Sequence, residues 1–345
     1  MSFEWTKVED FEVLAAKSAN GSDTENYDTS IWSFQEVNSL DELDSSKETA
    51  ILTHGWRGFG VTTEFNDPIT TWDSEDDNQV PRLTQIANNL SSENYNILFL
   101  DWDQAAIDTS EEGNFFDSTI GIPRDAAGRI LPVASDTAEK LESISSDKIT
   151  LIGHSLGGFL SAEIAEQLVN SGKEVEQISL DPAFPAIKNE ALPANAGRLP
   201  IGFLTEPYNI DALGEEGKTP PRLGFRGPNN SSLSLVVSDE GVKRGAAGSN
   251  NYAATADKSF IIDFPKETGL DAHSLVQDIY NNLLEYVDIN SPLYTSLFGG
   301  INEGESDPLD IAFAEDIYDN SGEDSDTVTQ GHEGVINIEK EQNDD

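Results

Sequence analysis

The 345-residue chain contains no cysteine, which excludes disulfides, thiolate metal sites and a reactive thiol. Bases are scarce too: 20 Lys and Arg stand against 64 Asp and Glu, a net charge of −44. Residues 302–345 hold fifteen acids and one base, so most of that charge lies elsewhere in the chain. A surface of this sign repels nucleic acid and anionic membranes at long range, so no nucleic-acid partner is expected. It suits solubility or a salty medium. No apolar run reaches the roughly 18 residues of a membrane span. Residues 1–7 lack the basic and apolar regions of a signal peptide. Cytoplasmic residence is one expectation, and export through a C-terminal signal is the alternative. Asp319-Asn320-Ser321-Gly322-Glu323-Asp324-Ser325-Asp326 has the composition of a calcium loop but not its spacing. No cofactor is expected, with calcium the one alternative left open, its motif unmatched.

What is present is Gly153-His154-Ser155-Leu156-Gly157, between the apolar run 148–152 and a helix-like run from Gly158 to Leu168. G-x-S-x-G between a buried strand and a helix is a nucleophile elbow. The serine occupies a strained turn, and side chains two residues either side would collide with it, so glycine is expected there. The turn puts the hydroxyl at a helix N-terminus, where backbone N–H groups can bind a developing oxyanion.

Alternation and apolar runs predict strands at 31–34, 49–53, 96–100, 148–152, 177–180, 201–204, 233–237 and 260–262. Helical spacing is predicted at 80–90, 125–144, 157–170 and 274–287. Residues 1–30 read as short apolar pieces and polar turns, and 57–79 and 104–121 as loops, the latter with Phe115-Phe116 facing substrate or packing beneath it. The β-α-β alternation predicts an α/β protein: a mostly parallel central sheet with helices on both faces, as in the α/β-hydrolase fold. Residues 1–301 are expected to form that domain. Residues 302–345, acidic and poor in apolar periodicity, are expected to form a largely disordered tail.

A serine nucleophile needs a histidine to take its proton and a carboxylate to orient that histidine. The chain has four histidines. His154 lies within the elbow and reads as a packing or hydrogen-bonding residue. His54 ends a strand, and His332 lies in the acidic segment. His273, late in the chain and just before a helix, fits the order Ser…Asp…His. Three acids compete for the third place. Asp181 ends the strand after the nucleophile helix, at the sheet edge where such sites collect. Asp263 ends the strand 260–262, and Asp271 lies two residues before His273, too near to fold back easily. The oxyanion donors are expected to be the amide of Leu156, after the nucleophile, and that of Trp56, in the loop after an earlier strand. His54 would prop that loop.

Four segments, Thr53-His54-Gly55-Trp56-Arg57-Gly58, Leu100-Asp101-Trp102, Ile152-Gly153-His154-Ser155-Leu156-Gly157-Gly158 and Leu180-Asp181-Pro182-Ala183-Phe184-Pro185, resemble the pancreatic-type lipase family in order and approximate spacing. The resemblance covers residues 30–190, and His273 with its helix more loosely. The Leu-Asp-Pro-Ala-x-Pro segment is its specific part, because this family takes its acid right after the strand that follows the nucleophile helix. The resemblance implies Ser155, Asp181 and His273 as a triad, with Trp56 and Leu156 as oxyanion donors. It also implies an ester hydrolase of lipase or phospholipase A1 type, with lipid or small acyl esters as substrate and transient contact with a lipid interface. The departures are clear. The lid of animal members is bounded by a disulfide, which a chain without cysteine does not form, and an acidic tail is expected where they often carry a C-terminal β-sandwich. Glu190 and Arg198 do not match the spacing of the family's calcium stretch, so calcium is not carried over. The segment 205–259 stands where a lid would be, but it is polar. The same triad would also serve an acyltransferase, a thioesterase or an amidase. A non-catalytic lipid-binding protein is the remaining alternative.

Overall fold

Continuous apolar runs mark the middle of the sheet. In the computed structural model, β3 (Glu48–Thr53), β4 (Tyr95–Asp101) and β5 (Lys148–His154) are buried along almost their whole length, as strands covered on both faces must be. The structure describes residues 5–17, 23–55, 82–92, 95–106, 124–183, 231–237, 253, 256–263, 272–286, 311–314 and 334–338. Around the central strands lie β1 (Thr6–Ala16), β2 (Thr24–Ser33), β6 (Glu174–Leu180), β7 (Ser231–Val237), β8 (Lys258–Asp263), β9 (Ile311–Ala314) and β10 (Gly334–Ile338). Among the described residues they form one sheet in the order β1-β2-β4-β3-β5-β6-β7-β8-β10-β9. From β4 to β10 every neighbour is parallel, and β2 joins β4 antiparallel. A mostly parallel sheet with an antiparallel second strand and helices on both faces is the α/β-hydrolase fold expected from the sequence.

The helices are α1 (Arg82–Ser92), α2 (Asp103–Ala106), α3 (Arg124–Gly128), α4 (Ile130–Leu141), α5 (Leu156–Asn170) and α6 (Ala272–Tyr286). Strand periodicity sorts the core into two layers. On one face Ile51, Leu98, Ile149 and Leu151 pack with Val133, Phe159 and Ile164 of α4 and α5. On the other, Leu52, Phe99, Ile152 and Ile178 pack with Ile86 of α1 and Ile279 of α6. Each such aliphatic side chain contributes about 1.5–3 kcal/mol by leaving water. Among the described residues no helix is long and apolar enough to cross a membrane.

Four sequence readings change. Residues 6–16 and 24–33 are not short pieces between turns but two long antiparallel strands. β1 lies at the sheet edge and buries only Val8, Val13 and Ala15, with a register shift between Lys7 and Glu9, so no clean alternation marks it. The helix expected over 125–144 is divided at Arg129, a single turn residue between α3 and α4 with φ −93° and ψ −5°. Its buried guanidinium donates to the carbonyls of Ala16 (3.0 Å), Ala105 (3.1 Å) and Lys17, and it lies 4.4 Å from the Tyr27 ring. That set of bonds ties the end of β1 to the α2 turn. Residues 231–237 lie within 205–259, the stretch that stands where a lid would be, but they form the strand expected at 233–237, β7, between β6 and β8, so a lid cannot include them. Finally, the acidic segment 302–345 supplies β9 and β10, with Val335 paired to Ile261 of β8. The local apolar runs Ile311-Ala312-Phe313-Ala314 and Val335-Ile336 outweigh the acidic composition there.

Candidate active site

The expected residues gather at the C-terminal edge of the parallel strands, where β3, β5 and β6 end side by side. Ser155 follows β5 with φ 56° and ψ −127°, a conformation that costs about 1–3 kcal/mol and persists only when its surroundings impose it. They do so through its amide, which donates to the Leu180 carbonyl of β6 at 3.0 Å. They also do so through the glycines, for a reason that differs from the one expected. A Cβ on Gly153 would lie 2.3 Å from the Gly157 carbonyl oxygen, and one on Gly157 would lie 2.4 Å from that of His54. Both glycines permit backbone-to-backbone contact, rather than clearing space for the serine side chain. The glycine that does abut the serine is Gly55, where a Cβ would lie 2.6 Å from Ser155 Cβ. The sequence reading missed that contact, and the His-Gly pair at the end of a strand was its signal.

Below the elbow, polar bonds fix α5 to the sheet. Thr53 Oγ1 donates to the Gly157 carbonyl at 3.0 Å and meets Ser161 Oγ at 2.7 Å. Gln177 Nε2 donates to the Gly158 carbonyl at 3.2 Å. Leu156 is buried as the first residue of α5, so its amide has no acceptor within the helix. Trp56, expected as the second oxyanion donor, lies outside the described residues, as do Asp271, Phe115 and Phe116. Of Asp263 only the backbone, at the end of β8, is described.

Asp181 follows β6, fully buried, with φ 43° and its amide donating to the Leu235 carbonyl at 2.7 Å. Its Oδ2 is hydrogen-bonded to Nδ1 of His273. A carboxylate oxygen accepts, so Nδ1 carries the proton and the His273 Nε2 lone pair is left available as a base. His273 is the second residue of α6, within the helix rather than on a loop before it. Its helix is held to α1 by Arg82, whose Nε lies 2.9 and 3.0 Å from the two Asp278 carboxylate oxygens, and by Asn89 and Asn281, 3.0 Å apart.

His54 is buried against Phe99 and Trp102, with ring centroids at 5.7 and 5.6 Å. Its Nδ1 donates to the Gly55 carbonyl at 2.7 Å, and its Nε2 accepts from the Trp102 amide at 3.3 Å. The Trp102 indole donates to the His54 carbonyl at 2.9 Å. The residue therefore props the turn beside Ser155, as its position predicted. Among the described residues no group of three or more His, Asp or Glu is placed to hold a metal ion.

No protein-family model matches the sequence, and no curated protein matches it. Solved structures do resemble it. A protein described as a hydrolase from Agrobacterium vitis S4 is 14% identical, with 81% of this chain and 98% of that one covered at a TM-score of 0.43. Dienelactone hydrolase from Anabaena variabilis is 12% identical over 79% of this chain and 95% of its own, with a TM-score of 0.36. The mouse α/β-hydrolase domain-containing protein 10 is 14% identical over 79% and 97%, also at 0.36. At 12–14% identity these likenesses concern the fold alone.

Proposed function

We propose that the chain is a serine hydrolase of carboxylic esters, working through Ser155, His273 and Asp181. The observation that carries the reading is the pair formed by buried Asp181 and His273 Nδ1, at the same strand edge as a serine held at positive φ. Acyl transfer needs a serine, a histidine base and an orienting carboxylate, and this pair supplies the last two. Ser155 Oγ attacks the acyl carbonyl as His273 Nε2 takes its proton. The tetrahedral intermediate's oxyanion is stabilised by the Leu156 amide and, by the resemblance noted above, by that of Trp56. His273 then gives the proton to the leaving alkoxide, and a serine acyl ester remains. Water, deprotonated by His273, hydrolyses that ester. Asp181 keeps the imidazole in one tautomer and stabilises the imidazolium. Within this class, a lipase or phospholipase A1 activity is the finer proposal, supported by the Leu180-Asp181-Pro182-Ala183 segment.

The test is hydrolysis of p-nitrophenyl esters from short to long acyl chains by the wild type and by Ser155→Ala. Loss of at least about a thousandfold in the variant is the expected result. A preference for long chains supports the lipase reading, and a short-chain optimum makes the protein an esterase. Equal activity in the two proteins would overturn the assignment of Ser155.

A further inference from the structure

Beside the proposed base lies a second imidazole. His154 ends β5, one residue before Ser155, and its ring centroid is 4.6 Å from that of His273 at an interplanar angle of 39°. Its Nε2 lies 3.0 Å from the His273 carbonyl oxygen. A carbonyl only accepts, so Nε2 carries the proton. Desolvation, and next the His273 ring, hold the His154 pKa well below the ordinary 6.5, so Nδ1 carries none. Among the described residues, the charged or titratable groups that act on it, His273 on α6, Arg82 on α1 and His54 at the end of β3, favour the neutral ring, and the hydrogen bond to the His273 carbonyl opposes them only in part. His154 is thus a fixed Nε2–H donor aimed at the backbone of the residue proposed as the base.

The base needs such a hold. His273 stands in the first turn of α6, and helix ends are where a helix frays. The Arg82–Asp278 pair secures the helix only from the next turn onward. We propose that His154 is a positioning residue, whose Nε2–H pins the His273 carbonyl so that the imidazole keeps Nδ1 on Asp181 and presents Nε2 to Ser155. This rests on the reading of Ser155, His273 and Asp181 as a catalytic set. It makes the elbow itself carry both reacting partners: residue 155 is the nucleophile, and residue 154 sets the register of the base. A neutral prop also adds no charge beside the imidazolium that forms during each acyl transfer.

Three variants test it. In His154→Gln the amide nitrogen stands near the position of Nε2, in His154→Asn it stands near Nδ1 and falls short, and His154→Leu has no donor. Two readouts are followed on the full chain: kcat and KM for p-nitrophenyl butyrate, and the downfield Nδ1–H proton resonance of His273. With four histidines in the chain, ring signals can be assigned by single substitution. The Leu and Asn variants are expected to lose about ten- to a hundredfold in kcat, the cost of a misplaced base. Their KM should hold, and their His273 signal should broaden or vanish. The Gln variant should recover both readouts. An unchanged signal and kcat in His154→Leu would overturn the proposal. So would a Gln variant as impaired as the Leu variant, because ring packing rather than the donor would then be at work. If no variant or wild type cleaves esters, but the His273 signal is lost with Leu and restored with Gln, the positioning role stands and the ester-hydrolase reading fails.

Discussion

The α-carbon of Gly157 approaches the end of β3 so closely that a Cβ there would lie 2.4 Å from the His54 carbonyl oxygen. The first turn of α5 therefore meets the end of β3 backbone to backbone, and that contact sets the height of Ser155 above the sheet. Gly157→Ala must push the two apart. It is expected to lower ester hydrolysis by about a hundredfold or more and to lower Tm. Gly158→Ala makes a control, because its Cβ would lie 3.3 Å from that of Pro182, a contact a small shift relieves. It should keep most of the activity. Equal behaviour of the two variants would remove the contact from the account of the elbow.

Strain at Ser155 predicts a trade between activity and stability. The residue sits at φ 56°, where glycine is unstrained. Ser155→Gly should abolish hydrolysis and raise stability by about 1 kcal/mol, the released strain less the extra freedom of glycine in the unfolded chain. Urea unfolding of the two proteins checks this. A variant less stable than wild type would show that the hydroxyl contributes more to folding than its backbone conformation costs.

His154 couples stability to pH. Its pKa is depressed well below 6.5 in the folded protein and returns to the ordinary value on unfolding. Below pH 6.5 the unfolded chain therefore binds a proton that the folded chain refuses. The stability is fully present above the unfolded pKa and is lost as pH falls from there towards the folded pKa, by at most about 1.4 kcal/mol per pH unit. His154→Gln removes the titrating group. Its stability should fall less steeply than wild type's between pH 6.5 and 5, as measured by urea midpoints at each pH. Parallel curves would place the acid sensitivity elsewhere.

Arg129 is a buried cation that meets three carbonyl oxygens, on Ala16, Lys17 and Ala105. Arg129→Met keeps volume and removes every donor. The carbonyls lose their partners, and a loss of about 3 kcal/mol is expected. Activity at a temperature where the variant stays folded should be near normal, because none of these groups touches the site. A loss under about 0.5 kcal/mol, typical of a neutral surface change, would mean that water replaces the guanidinium.

Residues 49–53, 96–100 and 148–152 could be read as central strands because a doubly covered parallel strand must be apolar almost throughout. The long first hairpin could not, since β1 is an edge strand and mixes acids with its buried positions. The break at Arg129 was illegible for another reason: the three carbonyls it bonds come from residues 16, 17 and 105, far away in sequence. Around the site, Ser155 was legible because an elbow demands local residue types on both sides. Chain order and strand ends pointed to Asp181 and His273 as candidates, with Asp263 and Asp271 in competition.

By itself the sequence determined the central elements and their chemistry: apolar strand runs, a serine between glycines, few histidines and a large negative charge. Those properties are written in short stretches, because helix and strand periods and turn sterics act over a few residues. Which groups meet was decided only by the tertiary structure. Asp181 and His273 are 92 positions apart and share a hydrogen bond. His154 reaches the His273 carbonyl across 119 positions, and Gly157 touches the His54 backbone. Those encounters depend on the crossover order of the strands and on the docking of α5 and α6 on opposite faces of the sheet. No local pattern encodes either, because contact between distant residues is fixed by packing of the whole core.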